Sequence, residues 1–206
     1  MEGKFTNIYD KKIWGGGSGT GSKMSGAQKK YIGMLEEVMD KYDIKVICDM
    51  GCGDWEFSKY INFGKRKYYG VDCVKSVVDE NIKLYSTPDV KFAHKELGDD
   101  WIPKKYDLII LKDVIQHWTD EDILKYMELL LEHNKYVFCT NGFKFRRDPS
   151  KNANECRDIN NRYSYHPVCI HKYPLNTFRD HCLSIAESYT KQMCLFSKKS
   201  KFESCY

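Results

Sequence analysis

The stretch Asp49-Met-Gly-Cys-Gly-Asp54 decides the reading of this chain, because a short apolar run (Ile44, Val46, Ile47) leads into it and a helix over 55–62 is expected to follow. Strand, tight glycine turn and helix in that order make a ligand loop at the carboxyl end of a strand. Gly51 and Gly53 let the backbone turn sharply and leave room for a ligand to lie against it. Asp49, expected to close the strand, and Asp54, expected to open the helix, select the ligand. Two carboxylates flanking the turn repel a pyrophosphate held at a helix N-terminus. Glu56 stands where G-x-G-x-x-G has its third glycine, so a dinucleotide is disfavoured.

A further acid is spaced to match. Lys67-Tyr-Tyr-Gly-Val71 reads as a strand ending in Asp72, about twenty residues beyond the glycines, where a βαβ unit delivers a carboxylate to ribose hydroxyls. An acidic turn suits a cofactor that carries an ammonium group and a ribose but no phosphate. S-adenosylmethionine has that chemistry. The plainer reading makes the glycines an ordinary turn and Asp72 a cap for the helix after it.

Outward from these motifs, apolar runs alternate with amphipathic segments. Strands are expected over 44–48, 68–71, 90–93, 107–111 and 136–139, and helices over 24–42, 55–62, 74–85 and 121–132. Continuous apolar strands separated by helices predict an α/β fold, a mostly parallel, doubly wound Rossmann-like sheet. Residues 183–197 read as two strands about 189–192, an antiparallel hairpin at the sheet edge. Ligands in such sheets bind beyond the carboxyl ends of the strands, where Asp49, Asp72, His94, Lys112 and Thr140 fall.

At 206 residues, 42% hydrophobic and 30% charged, the chain suits one domain with one core. Residues 24–140 form its cofactor-binding core and 177–206 its last strands. Residues 1–23 end in Trp14-Gly-Gly-Gly-Ser-Gly-Thr-Gly-Ser22, which reads either as a flexible linker or as a lid closing amides and hydroxyls over a cofactor. Residues 141–176, rich in polar and aromatic side chains, read as a substrate-facing insertion.

The net charge of +4 is small and the lysines are scattered in short groups, which does not indicate nucleic-acid binding. No stretch suits a bilayer span and no signal-peptide core opens the chain, so a cytoplasmic location is expected. The nine cysteines are then expected as reduced thiols, with Cys48 and Cys139 in core strands. His166-Pro-Val-Cys169-Ile-His171 is the one cluster of metal-ligand type, and without a CxxC pair or a second cluster no metal is expected.

The reacting groups are sought in Lys112-Asp113-Val-Ile-Gln116-His117-Trp118. Asp113 and His117 are four apart, so a helical turn would put them on one face as an acid-base pair, the carboxylate orienting the ring and raising its proton affinity. Otherwise Asp113 caps a helix and His117 packs on Trp118.

On these motifs, residues 24–139 resemble a class I S-adenosylmethionine-dependent methyltransferase, through Asp49–Asp54, Tyr69-Gly-Val-Asp72, Phe92 to Glu96, and Tyr106 to Asp113 with His117. A narrower resemblance, to small methyltransferases of bacterial and giant-virus polysaccharide genes, spans nearly the whole chain. It rests on Ile8-Tyr9 through Trp14, Ser18 to Ser22, Asn154-Glu-Cys-Arg-Asp158-Ile159 and Tyr173-Pro174-Leu175. The resemblance implies that Gly51, Cys52, Gly53 and Asp54 line the methionine part of the cofactor and that Asp49 holds its ammonium group. It implies Asp72 and Cys73 at the ribose, and Glu96 and Leu97 at the adenine. Lys112 stands beside the cofactor where similar proteins often carry Arg, and Trp14, Ser18, Gly19, Gly21 and Ser22 form the lid. Tyr9, Asn141, Asp158 and Tyr163 fall to the acceptor, and Asp113 and His117 to proton removal. The implied activity is O-methylation of a sugar, nucleotide-linked or within a glycan. An Asn-Pro-Pro-Tyr-type motif, which would favour base or glutamine amino groups, is missing after the fourth strand. Methylation of RNA or another small molecule, and a non-catalytic cofactor-binding subunit, are the alternatives; Glu56 and Asp49 oppose an NAD-dependent oxidoreductase. Oligomeric state is not legible.

Overall fold

A computed structural model of the chain describes residues 2–98, 101–143, 167–188 and 191–198. The elements are α1 (Glu2–Asp10), α2 (Gly26–Lys41), β1 (Val46–Met50), β2 (Lys67–Asp72), α3 (Lys75–Tyr85), β3 (Val90–His94), β4 (Leu108–Lys112), α4 (Asp120–His133), β5 (Tyr136–Gly142), β6 (Cys182–Glu187) and β7 (Lys191–Ser197). The strand order is β3-β2-β1-β4-β5-β7-β6. The pairings β1–β2, β2–β3 and β4–β5 are parallel, and those of β7 with β5 and β6 are antiparallel. This is the mostly parallel Rossmann-like sheet with a C-terminal hairpin that the alternation predicts. The chain divides into two compact units, Met1–Ile102 and Pro103–Tyr206.

In the first unit, α2 starts where Ser25 accepts from the Ala27 amide (3.2 Å) and buries Tyr31, Leu35 and Met39, spaced four apart on one face. Parallel register sets Asp49 opposite Gly70 and Asp72 opposite His94. Gly70 has no room for a side chain: a Cβ there would lie 2.7 Å from the Phe92 ring and 3.1 Å from Cys52 Sγ.

Three expectations fail here. β1 begins and ends two residues later than the apolar run suggests, so Asp49 lies inside the strand and Met50 closes it. No α-helix follows the glycine turn, and Asp54 opens none. Trp55 takes a left-handed conformation (φ 55°) and turns its indole into a cluster with Phe63, Tyr68, Tyr85 and Phe92, at ring separations of 5.1 to 6.2 Å; a single 3₁₀ turn, Ser58–Tyr60, remains. Aromatic packing outweighs local helical preference in this segment. Finally, residues 2–10, read only as part of a glycine-ended segment, form α1, with Ile8 buried.

In the second unit, α4 is fixed by a reciprocal capping box, Thr119 with Asp122, and buries Ile123, Tyr126, Met127, Leu130 and Leu131. Of the insertion, only 141–143 and 167–176 are described. Its far end is tied back by the Val168 amide donating to Gly142 O (2.8 Å) and the Ile170 amide donating to Gln192 Oε1 (2.8 Å). The described cysteines carry no disulfide, with Cys48 and Cys139 in the core. Among the described residues no group of three or more His, Cys, Asp or Glu is placed to hold a metal, and no helix is long and apolar enough to cross a membrane.

Candidate active site

The glycine turn of the first unit is held on all sides. Gly51 and Gly53 have φ of 72° and 57°, the left-handed region that glycine enters without steric cost. The amides of Gly51 and Cys52 donate back to Val71 O (2.8 and 3.1 Å), and Gly53 O accepts from Asn81 Nδ2 on α3 (2.7 Å). Asn81 is 2% exposed, a polar residue on the apolar face of α3 that motif reading passed over.

Asp72 does two structural jobs. Its Oδ2 accepts from the Gly53 amide (3.0 Å) and its Oδ1 from the Val74 amide (2.9 Å), so it braces the turn and starts α3. The Cys73 amide and thiol also lie within hydrogen-bonding reach of the carboxylate. Burial pushes the Asp72 pKa up, against the pull of those amides. Asp49, also buried, accepts from the Tyr68 hydroxyl (2.6 Å). Cys52 lies close enough to both carboxylates that burial first, then their charge, push its thiol far up. Cys73 is pushed up to about 12 by burial, then by Asp72 and Glu96. Glu96 is exposed and Leu97 half-exposed, just past β3.

The glycine-rich segment is latched onto this turn. The Ser18 amide donates to Asp54 Oδ2 (2.7 Å), the Asp54 amide donates to Ser18 Oγ (2.9 Å), and Tyr9 Oη lies 2.6 Å from Ser18 Oγ. A Cβ on Gly17 would meet Asp54 Oδ2 at 2.1 Å, and one on Gly53 would meet Ser18 Oγ at 2.3 Å, so both glycines admit the latch. Asp54 therefore binds the segment rather than a helix terminus. Trp14 packs on Phe5 and Tyr9 (6.0 and 6.2 Å) and on Gly19, while Gln28 Nε2 donates to Gly21 O (2.6 Å) and Ser22 is buried. Tyr9, which the resemblance gives to the acceptor, packs against Ser18 and Gly53. Burial, then the charge of Asp72, keep its phenol protonated.

In the second unit, Asp113 follows β4 in a left-handed conformation (φ 61°), its amide donating to Thr140 O (2.7 Å). A 3₁₀ turn, Ile115–His117, comes next. The shared α-helical face expected for Asp113 and His117 does not form, because the left-handed residue breaks the helical path before it begins. The carboxylate is engaged by two ammoniums: Lys112 Nζ lies 3.0 Å from Oδ2, and Lys191 Nζ bonds Oδ1. Burial alone would raise its pKa; the charges and hydrogen bonds of Lys112 and Lys191 outweigh burial and hold it well below the usual carboxylate range. Lys191 opens β7 opposite Gly142. No local motif marks it, since only the antiparallel pairing brings it to β5. Gln116 is buried and accepts from the Gly142 amide (3.3 Å). Asn141, 3% exposed, donates to Cys139 Sγ (3.1 Å) and keeps its buried Oδ1 without a partner. Asp158 and Tyr163 lie outside the described residues, as does His166.

No protein-family model and no curated relative matches the sequence. Solved structures do match, as folds. Magnesium protoporphyrin IX methyltransferase from Synechocystis PCC 6803 with bound SAH is 18% identical, covers 84% of this chain and 87% of its own, and has a TM-score of 0.57. Human N-acetylserotonin methyltransferase in complex with SAM is 16% identical over 94% of this chain and 58% of its own (TM-score 0.60). Mitomycin 7-O-methyltransferase is 12% identical over 82% and 53% (TM-score 0.59). The likeness establishes the class I methyltransferase fold.

Proposed function

We propose that the chain is an S-adenosylmethionine-dependent methyltransferase acting on a hydroxyl of a sugar, nucleotide-linked or within a glycan. The observation that carries the reading is the Gly53 turn braced by Asp72, whose carboxylate stands buried at the end of β2, where such folds hold a ribose. Asp49 and Asp72 favour a cationic, ribose-bearing ligand, and the Ser18–Asp54 latch covers the turn where a pyrophosphate would have to lie. Asp49, Gly51, Cys52, Gly53 and Asp72 would hold the cofactor, with Cys73, Glu96 and Leu97 toward its base and the segment from Trp14 to Ser22 as lid.

The cofactor supplies a methyl group on a sulfonium that is already a good leaving group. The protein's part is then positioning, exclusion of water and removal of the hydroxyl proton. Lys112 and Lys191 keep Asp113 ionised, so it does not take up a proton near neutrality; His117 is assigned that step, with Asp113 as a fixed anion. Asn141, whose buried Oδ1 has no partner, is assigned to the acceptor by resemblance. By resemblance, Asp158 and Tyr163 are assigned to the acceptor too.

Incubation with radiolabelled cofactor and separate panels of nucleotide sugars, oligosaccharides, other small molecules and RNA tests this. Label on a sugar oxygen is expected. Label on RNA or on a nitrogen would replace the acceptor, and binding without transfer to any panel would leave a non-catalytic subunit.

A further inference from the structure

Tyr9 and Ser18 carry two hydroxyl protons between them, and the single bond joining them uses one. The other bond at Ser18 Oγ is accepted, from the Asp54 amide. Whichever hydroxyl donates to its neighbour, one proton remains to give away. Either Ser18 donates and the phenol keeps its proton, or the phenol donates and Ser18 keeps its own. No described side chain takes it up.

The acceptor-only partner stands across the same glycine. Gly53 gives its amide to Asp72 Oδ2 at 3.0 Å, while its Cβ position lies 2.3 Å from Ser18 Oγ and 3.4 Å from Tyr9 Oη. A ribose hydroxyl that donates to Asp72 presents oxygen lone pairs that need a donor in return, and leaving them dry is unfavourable. The turn thus brings a carboxylate and a hydroxyl pair with a spare proton to one residue.

We propose that the Tyr9–Ser18 hydroxyl pair donates to a ribose oxygen of the bound cofactor while Asp72 accepts from the ribose, so that the N-terminal segment completes the ribose site. This rests on the S-adenosylmethionine reading and assigns Tyr9 to the cofactor rather than to the acceptor. Ribose recognition and closure of the segment become one event, because Ser18 is at once the latch to Asp54 and half of the donor pair.

Calorimetric titration of the full chain with S-adenosylhomocysteine and with its 2′-deoxy and 3′-deoxy ribose analogues tests it, on wild type, Tyr9→Phe and Tyr9→Phe/Ser18→Ala. The double variant should lose roughly tenfold or more in affinity for S-adenosylhomocysteine, the scale of one buried hydrogen bond. It should lose clearly less for the one deoxy analogue that lacks the contacted oxygen. Tyr9→Phe keeps one hydroxyl proton on Ser18 and should fall between wild type and the double variant; it also serves as the test if the double variant does not fold. Equal losses for all three ligands, or no loss, would make the pair a strut of the lid and overturn the proposal. A wild-type chain that binds none of the three would instead overturn the cofactor reading.

Discussion

Replacing Gly17 with alanine should release the N-terminal segment while leaving the glycine turn intact. Gly17 has φ of 59°, and a Cβ there would stand 2.1 Å from Asp54 Oδ2, a contact that the Ser18–Asp54 hydrogen bonds cannot survive unshifted. Gly16 is the matched control. Its φ is 96° and a Cβ would meet nothing within 4 Å, so Gly16→Ala brings backbone strain without collision. Strain at such a position costs about 1–2 kcal/mol in either variant. The collision is with the carboxylate, so the bond at risk is the one it accepts from the Ser18 amide, a charged hydrogen bond of about 1.5–3 kcal/mol. The two variants should therefore differ by up to about 3 kcal/mol in the free energy of local opening. Amide hydrogen exchange at Ser18 and Asp54 reads that difference, and titration with S-adenosylhomocysteine reads its effect on binding. Matching exchange rates in the two alanine variants would refute the latch.

The remaining expectations concern single groups. Asp72→Ala should weaken cofactor binding by about 1–3 kcal/mol, since ribose hydroxyls lose their acceptor; unchanged affinity by calorimetry would reduce Asp72 to a brace for Gly53 and Val74. Asp113, with its folded pKa depressed, contributes stability that is fully present above the unfolded carboxyl value near 3.9 and is lost as pH falls toward the folded one. Lys191→Met should narrow that gap, so denaturant melts between about pH 5 and pH 2 should show a shallower loss of stability than wild type; parallel curves would mean Lys191 does not set the Asp113 charge. His117→Ala should lower turnover roughly a hundredfold with cofactor affinity nearly unchanged. Near-normal turnover in that variant would remove His117 from proton transfer.

What the sequence made legible is what depends on runs and spacings. β2, β3 and β4 stand where their apolar runs put them within a residue or two, and the acids Asp49 and Asp72 lie buried in β1 and at the end of β2, because strand alternation and a βαβ spacing are local properties of a chain. The helix expected over 55–62 failed because Trp55 has partners on β2, α3 and β3 that no window along the chain contains. Lys191 was illegible for the same reason: it stands 78 residues from Asp113 and meets it only through an antiparallel pairing. Asn81 could have been found, as an Asn on the Val77–Val78 face of an otherwise amphipathic helix. Asp54 is visible in the sequence, but its partner is not. A carboxylate after a glycine turn looks like a helix cap, and only the return of residues 17–18 shows that it closes a latch.

Trp14 gives the segment an optical signature. It is half-exposed and rests on Phe5 and Tyr9, whereas Trp55 and Trp118 are buried at 7% and 3% exposure. When the segment lifts, the indole that changes surroundings is its own; Trp55, Trp118 and the half-exposed Trp101 lie outside the segment. Emission would then shift toward the red as Trp14 gains water. Open and closed molecules differ in colour as well as in shape, without any label attached.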